Sequence, residues 1–216
     1  MNPTLASIIY ACGIAGLFYL DRDGAIRTSK ALWLPVIWVW IVGSRPVSGW
    51  LGISPDANVQ LEGSPLDAAI FGVLLLAAIF VLIRRSKQTR ALLFANWAIL
   101  AYFLYCLISV SWSDHPDVAF KRWIKAIGDL AMVLVVVTDG QPIAALRRLL
   151  SRTGFLLLPA SVLLIKYYGD LGRGYTPDGE LMNTGVTTNK NSLGIMLLVV
   201  SLGTVWRVLG LLRATN

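Results

Sequence analysis

Apolar runs close to the length needed to cross a bilayer recur along this chain, and no other feature limits its fold so strongly. A hydrocarbon core about 30 Å thick takes roughly 17–25 helical residues to span. Seven stretches approach that length, at about 4–20, 31–43, 66–83, 91–110, 123–138, 154–168 and 192–212. The second, fifth and sixth are short. All are apolar around their circumference and do not alternate with period two, so helices are the expected spanning solution and barrel strands are not. With 56% hydrophobic and 14% charged residues among 216, the composition excludes an ordinary soluble globule. The expectation is an all-α, polytopic helical membrane protein of about seven transmembrane helices. No internal repeat, low-complexity tract or long linker divides it, so residues 1–216 read as a single membrane domain.

No Lys or Arg precedes the first run and no soluble domain follows it, so it reads as a retained helix and not as a cleaved signal peptide. Cys12 and Cys106 fall inside apolar runs, where a thiol behaves as a small hydrophobe. They give neither a disulfide framework nor a metal set, and no cofactor is expected. The formal charge of +7 would raise nucleic acid as a partner for a soluble chain, but here the basic residues cluster in short loops. Membrane orientation is the expected reason for them.

One set of alternate loops holds Arg22, Arg27, Lys30, Arg84, Arg85, Lys87, Arg90, Arg147, Arg148, Arg152, Arg207 and Arg213. The opposite set holds only Arg45, Lys121, Arg122, Lys125, Lys166, Arg173 and Lys190. The richer side is expected to be cytoplasmic, which puts the amino terminus and the loops at about 44–65, 111–122 and 169–191 outside. Those loops also carry Asp56, Glu62, Asp114, Asp117, Asp170, Asp178 and Glu180, whereas the inner loops hold only Asp21, Asp23 and Asp139. Mixed polar chemistry therefore gathers on the outer face.

The richest outer loop reads YYGDLGRGYTPDGELMNTGVTTNKN. Its glycines at 172, 174 and 179 lack the strand and spacing of a dinucleotide fingerprint. Where it meets the last run, Thr187, Thr188, Asn189, Asn191 or Ser192 can cap a helix whose free N–H groups point outward. Lys190 and Arg173 add full charges, so Arg173, Lys190, Asn189 and Asn191 are candidates for holding a phosphate or diphosphate. A helix cap with a snorkelling lysine accounts for the same residues.

The second constellation is SVSWSDHPDVAFKRWIKAIGD. A helix starting near Asp117 places Lys121, Arg122 and Lys125 within about one turn, with Asp129 four residues beyond Lys125. Such a basic entrance suits the diphosphate of a lipid carrier, and it equally suits contacts with lipid headgroups. Asp129 is an intramembrane carboxylate, expensive enough to be a functional candidate, although a Lys125–Asp129 pair also explains it. His115 is the one histidine; a loop position beside Asp114 allows acid–base work and also an incidental role.

Together, SVSWSDHPDVAFKRWIK and GRGYTPDGELMNTGVTTNKNSLG resemble the O-antigen ligase and O-antigen polymerase family of bacterial inner-membrane glycosyltransferases, and within it the succinoglycan-type exopolysaccharide polymerases. The matching positions are Ser111, Trp112 and Ser113, then Arg122, then Arg173 and Gly174, then Gly185, Asn189, Lys190, Asn191, Leu193 and Gly194. The resemblance implies a multi-pass protein of the bacterial inner membrane that transfers or polymerises glycan from a polyprenyl diphosphate carrier at the outer face, without a metal. Its implied partners are that lipid-linked oligosaccharide, membrane lipids and other polysaccharide assembly proteins. Family members are about twice as long and carry a second large outer loop that supplies the histidine usually assigned as base, and Asn189 stands where many have histidine. The chain is therefore expected to be the amino-terminal part of such a protein or an inactive truncated form. A non-enzymatic transport or scaffold component of polysaccharide export is the competing reading.

Overall fold

A computed structural model of the chain describes residues 2–21, 28–53, 64–176 and 178–215. Arg22, Asp23, Arg27, Asp56 and Glu62, read above from sequence, lie outside the described residues, as does the side chain of Arg213. The described residues are almost wholly helical. The elements are α1 (Pro3–Leu20), a 3-10 turn (Lys30–Leu32) leading into α2 (Trp33–Val42), α3 (Val47–Trp50), α4 (Pro65–Arg84), α5 (Ser86–Ala95) and α6 (Trp97–Ser109). After a 3-10 turn at Val110–Trp112 come α7 (Pro116–Val137), α8 (Pro142–Tyr167), α9 (Gly169–Gly172), the hairpin strands β1 (Arg173–Tyr175) and β2 (Leu181–Asn183), and α10 (Lys190–Thr215).

Among the described residues, four helices are long and apolar enough to cross a membrane: α1, α4, α8 and α10 as far as Gly210. The pair α5 and α6, continued to Trp112, brings the number to five if it counts as one span, although the two halves are bent by 84°. The protein is thus an all-α, multi-pass membrane protein, but its seven apolar runs do not all become apolar helices of spanning length. The run at 31–43 yields only the ten residues of α2 beyond its 3-10 turn. The run at 91–110 breaks at Asn96, whose φ of −119° and ψ of 46° leave the helix while its side chain donates to the Leu92 carbonyl at 2.9 Å. The run at 123–138 is the apolar part of α7, whose first turns carry Lys121, Arg122 and Lys125.

The described residues form two compact units, one of Met1–Thr28, Val39–Pro46 and Ile143–Asn216, the other of Ser29–Trp38 and Val47–Pro142. In the first, Asn2 caps α1 by accepting from the Thr4 N–H at 3.1 Å, with Pro3 opening the helix. Helices α8 and α10 approach closely at glycines: a Cβ on Gly154 would stand 2.8 Å from Val200 Cγ1, and one on Gly203 would stand 3.0 Å from Leu150 Cδ1. Small residues let two backbones come together where lipid supplies no hydrophobic drive. Leu157, Val186, Leu193, Met196 and Val200 form the core of this unit. Phe18 meets Trp40 and Phe155 edge-on, at 6.1 and 5.8 Å between centroids. Arg152 Nε lies 3.1 Å from Asp21 Oδ2, both side chains largely buried.

In the second unit α4 packs along α7. The six-membered ring of Trp38 fills the gap left by Gly128, where a Cβ would come within 2.3 Å of it. The same indole donates to Asp129 Oδ1 at 2.7 Å and meets Phe71 at 4.7 Å. At the far end of both helices, Arg85 donates to the Val135 carbonyl at 3.0 Å, to Ser29 Oγ at 2.7 Å and to Thr138 Oγ1 at 3.3 Å. It stands 3.6 Å from the buried Asp139, which also accepts from the Ser29 N–H at 3.1 Å. At the near end Asp67 accepts from the Ser48 N–H and hydroxyl.

Candidate functional site

The loop between α8 and α10 is a folded object. After α8 ends, α9 turns the chain so tightly that a Cβ on Gly172 would lie 2.3 Å from the Leu164 carbonyl carbon, which leaves glycine as the residue that fits. The Gly172 carbonyl then accepts from both the Thr184 and Gly185 N–H groups at 2.9 Å. Between these points the chain makes an antiparallel hairpin, with Arg173 opposite Asn183, Gly174 opposite Met182 and Tyr175 opposite Leu181. Gly179 at its tip has φ +82°. The returning segment dives into α8: Gly185 adopts φ +56° against Ser161, and the Val186 N–H donates to Ser161 Oγ at 3.3 Å. Thr184, Val186 and Thr187 are all buried.

The chain surfaces again at Thr188, and Asn189 caps α10, its Oδ1 accepting from the Ser192 N–H at 2.9 Å. The helix-cap reading of Asn189 is therefore realised. Its oxygen is committed to the cap, and its amide nitrogen lies 3.4 Å from Thr188 Oγ1. The cap satisfies one orphan N–H group. Those of Lys190 and Asn191, the first two of the helix, have no bond among the described residues. Both side chains are exposed.

Arg173 is exposed, and its Nε donates to the Ile165 carbonyl at 2.9 Å. That bond fixes the guanidinium against the last turn of α8 and leaves its two terminal nitrogens without a partner among the described residues. Sequence reasoning counted Arg45 only for orientation, yet it belongs here. Its Nε donates to the Thr187 carbonyl at 3.2 Å and its Nη2 to the Leu171 carbonyl, so one guanidinium ties together the two ends of the loop that present Arg173 and Lys190. Ser161 and Gly172 were missed as well. The one signal available was the glycine density of GDLGRG, since side-chain bonds to distant carbonyls leave no local pattern.

The second constellation lies in the other unit and is described by itself. Ser111, Trp112 and Ser113 form the 3-10 turn and extended residue that lead to α7, whose first residue is Pro116. His115 precedes it exposed, without a capping bond from its side chain. Lys121, Arg122 and Lys125 are exposed on the first turns of α7, and Trp123 pins those turns by donating to the Phe103 carbonyl at 2.9 Å. Lys125 does not pair with Asp129. Its ammonium sits 5.2 Å from the Phe71 ring centre, and Asp129 takes the Trp38 indole N–H instead. Among the described residues, no three His, Cys, Asp or Glu side chains gather as a metal site would require.

Comparison with known proteins gives no guide to either constellation: no protein family, no curated protein and no solved structure matches the chain significantly.

Proposed function

We propose that this protein binds a polyprenyl-diphosphate-linked oligosaccharide at the loop between α8 and α10, and serves glycan transfer or polymerisation in exopolysaccharide or O-antigen assembly at a bacterial inner membrane. The observation that carries the reading is that one folded loop presents both Arg173 and Lys190, each exposed and without an acidic partner among the described residues. Two N–H groups at the start of α10, without a bond among the described residues, add the partial positive charge of a helix N-terminus. Fixed donors of this kind stabilise charge that develops on a departing diphosphate without reorganising when it forms. Arg122 and Lys121, on α7 in the other unit, would form a basic surface of their own.

We further propose seven crossings, with α2 and α7 as the two that apolarity alone does not nominate. Support for α2 comes from its ends. Before it, Thr28 accepts from Arg148 Nη1 at 2.7 Å near the start of α8, and after it Arg45 reaches Leu171 and Thr187 beyond the end of α8. Support for α7 comes from its course beside α4, from Lys125 over Phe71 to Val135 and Thr138 at Arg85. Seven crossings with a cytoplasmic basic side put the hairpin loop on the outer face.

A transport reading expects paired intramembrane charges; Asp129 takes an indole N–H, and the two buried ion pairs, Asp21 with Arg152 and Arg85 with Asp139, involve residues just past the ends of α1, α4 and α7. The test of the transferase reading is polymer production by cells carrying Arg173→Ala in the full-length protein. Loss of polymer with normal protein level is expected; normal polymer length and yield would contradict it.

A further inference from the structure

A second site lies at the other end of the first unit. A cleft of about 240 Å³ opens between α1, α8 and α10, with Leu150, Phe155, Leu158 and Val200 along its wall and Arg147 and Arg207 in its lining. The contacts of Leu150 with Gly203 and of Gly154 with Val200 make α8 and α10 antiparallel, which brings Arg147 and Arg207 to the same end. From Arg147 the apolar wall continues to Pro159, twelve residues or roughly 18 Å along α8. One end of the cleft is cationic, and apart from Ser151 and Thr204 the rest is apolar.

Each of the two arginines is exposed and makes a side-chain contact. Arg147 stacks 4.9 Å from the Trp206 ring centre, and Arg207 Nη1 donates to Ser151 Oγ at 3.0 Å. Among the described residues neither has an acidic partner and no acid lines the cleft. Arg152, one turn along α8, shows the contrast, because Asp21 neutralises it. Two guanidinium groups beside a serine hydroxyl call for a phosphate. A free phosphate leaves the apolar length empty, and a neutral lipid leaves both charges uncompensated.

We propose that this cleft binds one anionic phospholipid, its phosphate on Arg147 and Arg207 and one acyl chain along the α8 and α10 wall. The volume falls below the roughly 300–1,000 Å³ of pockets that enclose a whole small molecule, so a single chain segment enters while the rest of the lipid stays in the bilayer. Lys190 and Arg207 are seventeen residues apart on α10, roughly 26 Å, so the site is separate from the hairpin loop. In the proposed orientation it faces the cytoplasmic leaflet, where anionic lipid is drawn to basic residues.

The test is native mass spectrometry of the full chain in mild detergent, titrated with dioleoylphosphatidylglycerol and with dioleoylphosphatidylcholine. The first bound lipid is expected to favour the anionic species by on the order of tenfold. Arg147→Gln with Arg207→Gln is expected to abolish that preference, and Thr204→Trp, which fills the cleft, to weaken retention of that first lipid. Equal retention of the two lipids by the wild-type protein overturns the proposal without any variant. So does a preference that survives the double substitution, equally tight binding of glycerol phosphate alone, or tighter binding of polyprenyl diphosphate at this cleft.

Discussion

Arg45 Nε donates to the carbonyl oxygen of Thr187 at 3.2 Å, across 142 positions of sequence, while its Nη2 reaches the Leu171 carbonyl. A single planar group thus holds the segment before Arg173 and the segment before Lys190. Lysine offers one ammonium on a flexible stem and cannot span both carbonyls in fixed geometry. Arg45→Lys is expected to keep the net charge yet weaken diphosphate binding by about 1–3 kcal/mol, the worth of a charge-assisted bond lost from a preorganised site. Isothermal titration with a polyprenyl diphosphate checks this; unchanged affinity in Arg45→Lys would mean that the clamp does not shape the site.

Gly172 makes the loop possible. Its Cβ would sit 2.3 to 2.5 Å from the backbone of Leu164 and Ile165, atoms that cannot step aside as a flexible side chain can. Gly172→Ala is expected to displace the hairpin and to cost at least about 1–3 kcal/mol, as overpacking does. Limited proteolysis between Arg173 and Asn189 reads it directly, and wild-type resistance in the variant would count against the folded loop described here.

Trp38 and Asp129 make a second testable pair. Trp38→Phe keeps most of the ring that packs on Gly128 and Phe71 but removes the 2.7 Å donor to the carboxylate. A loss of about 1–3 kcal/mol is expected, since a charged acceptor is left without its bond. Adding Asp129→Leu to Trp38→Phe is expected to recover part of it, because removing both partners avoids the orphaned charge. Equal thermal stability of all three proteins in detergent would contradict the pairing.

The Asp21–Arg152 bridge is buried enough to behave unlike a surface pair. Removing one partner strands a charge and typically costs about 3–5 kcal/mol, whereas replacing both is much milder. Arg152→Met alone is therefore expected to destabilise the protein more than Arg152→Met with Asp21→Leu. A double-mutant cycle on thermal unfolding measures this, and strict additivity would refute the coupling.

The helical membrane class was legible from the apolar runs at 4–20, 66–83 and 192–212, which became α1, α4 and most of α10. Boundaries failed where hydropathy is blind to hydrogen bonding. The run at 154–168 is only the apolar end of α8, which begins twelve residues earlier at Pro142 because RRLLSR is a good helix former whose arginines pair or stack. Asn96 breaks the run at 91–110 by a side-chain bond that no composition window weighs. In the loop before α10, the cap at Asn189 followed from residue type and position, a local rule. Arg45 and Ser161 did not, because their bonds to the loop close over long sequence separations and depend on where the helices place them.

The central claim is that Arg173 and Lys190 together form an anion site for a lipid diphosphate, and its most direct measurement is the affinity of purified protein for polyprenyl diphosphate. Wild-type protein is expected to bind with a Kd that rises at least about tenfold in Arg173→Ala and again in Arg173→Ala with Lys190→Ala, each substitution removing a charged contact. Binding that is absent in the wild type, or equally tight in the double variant, would contradict it.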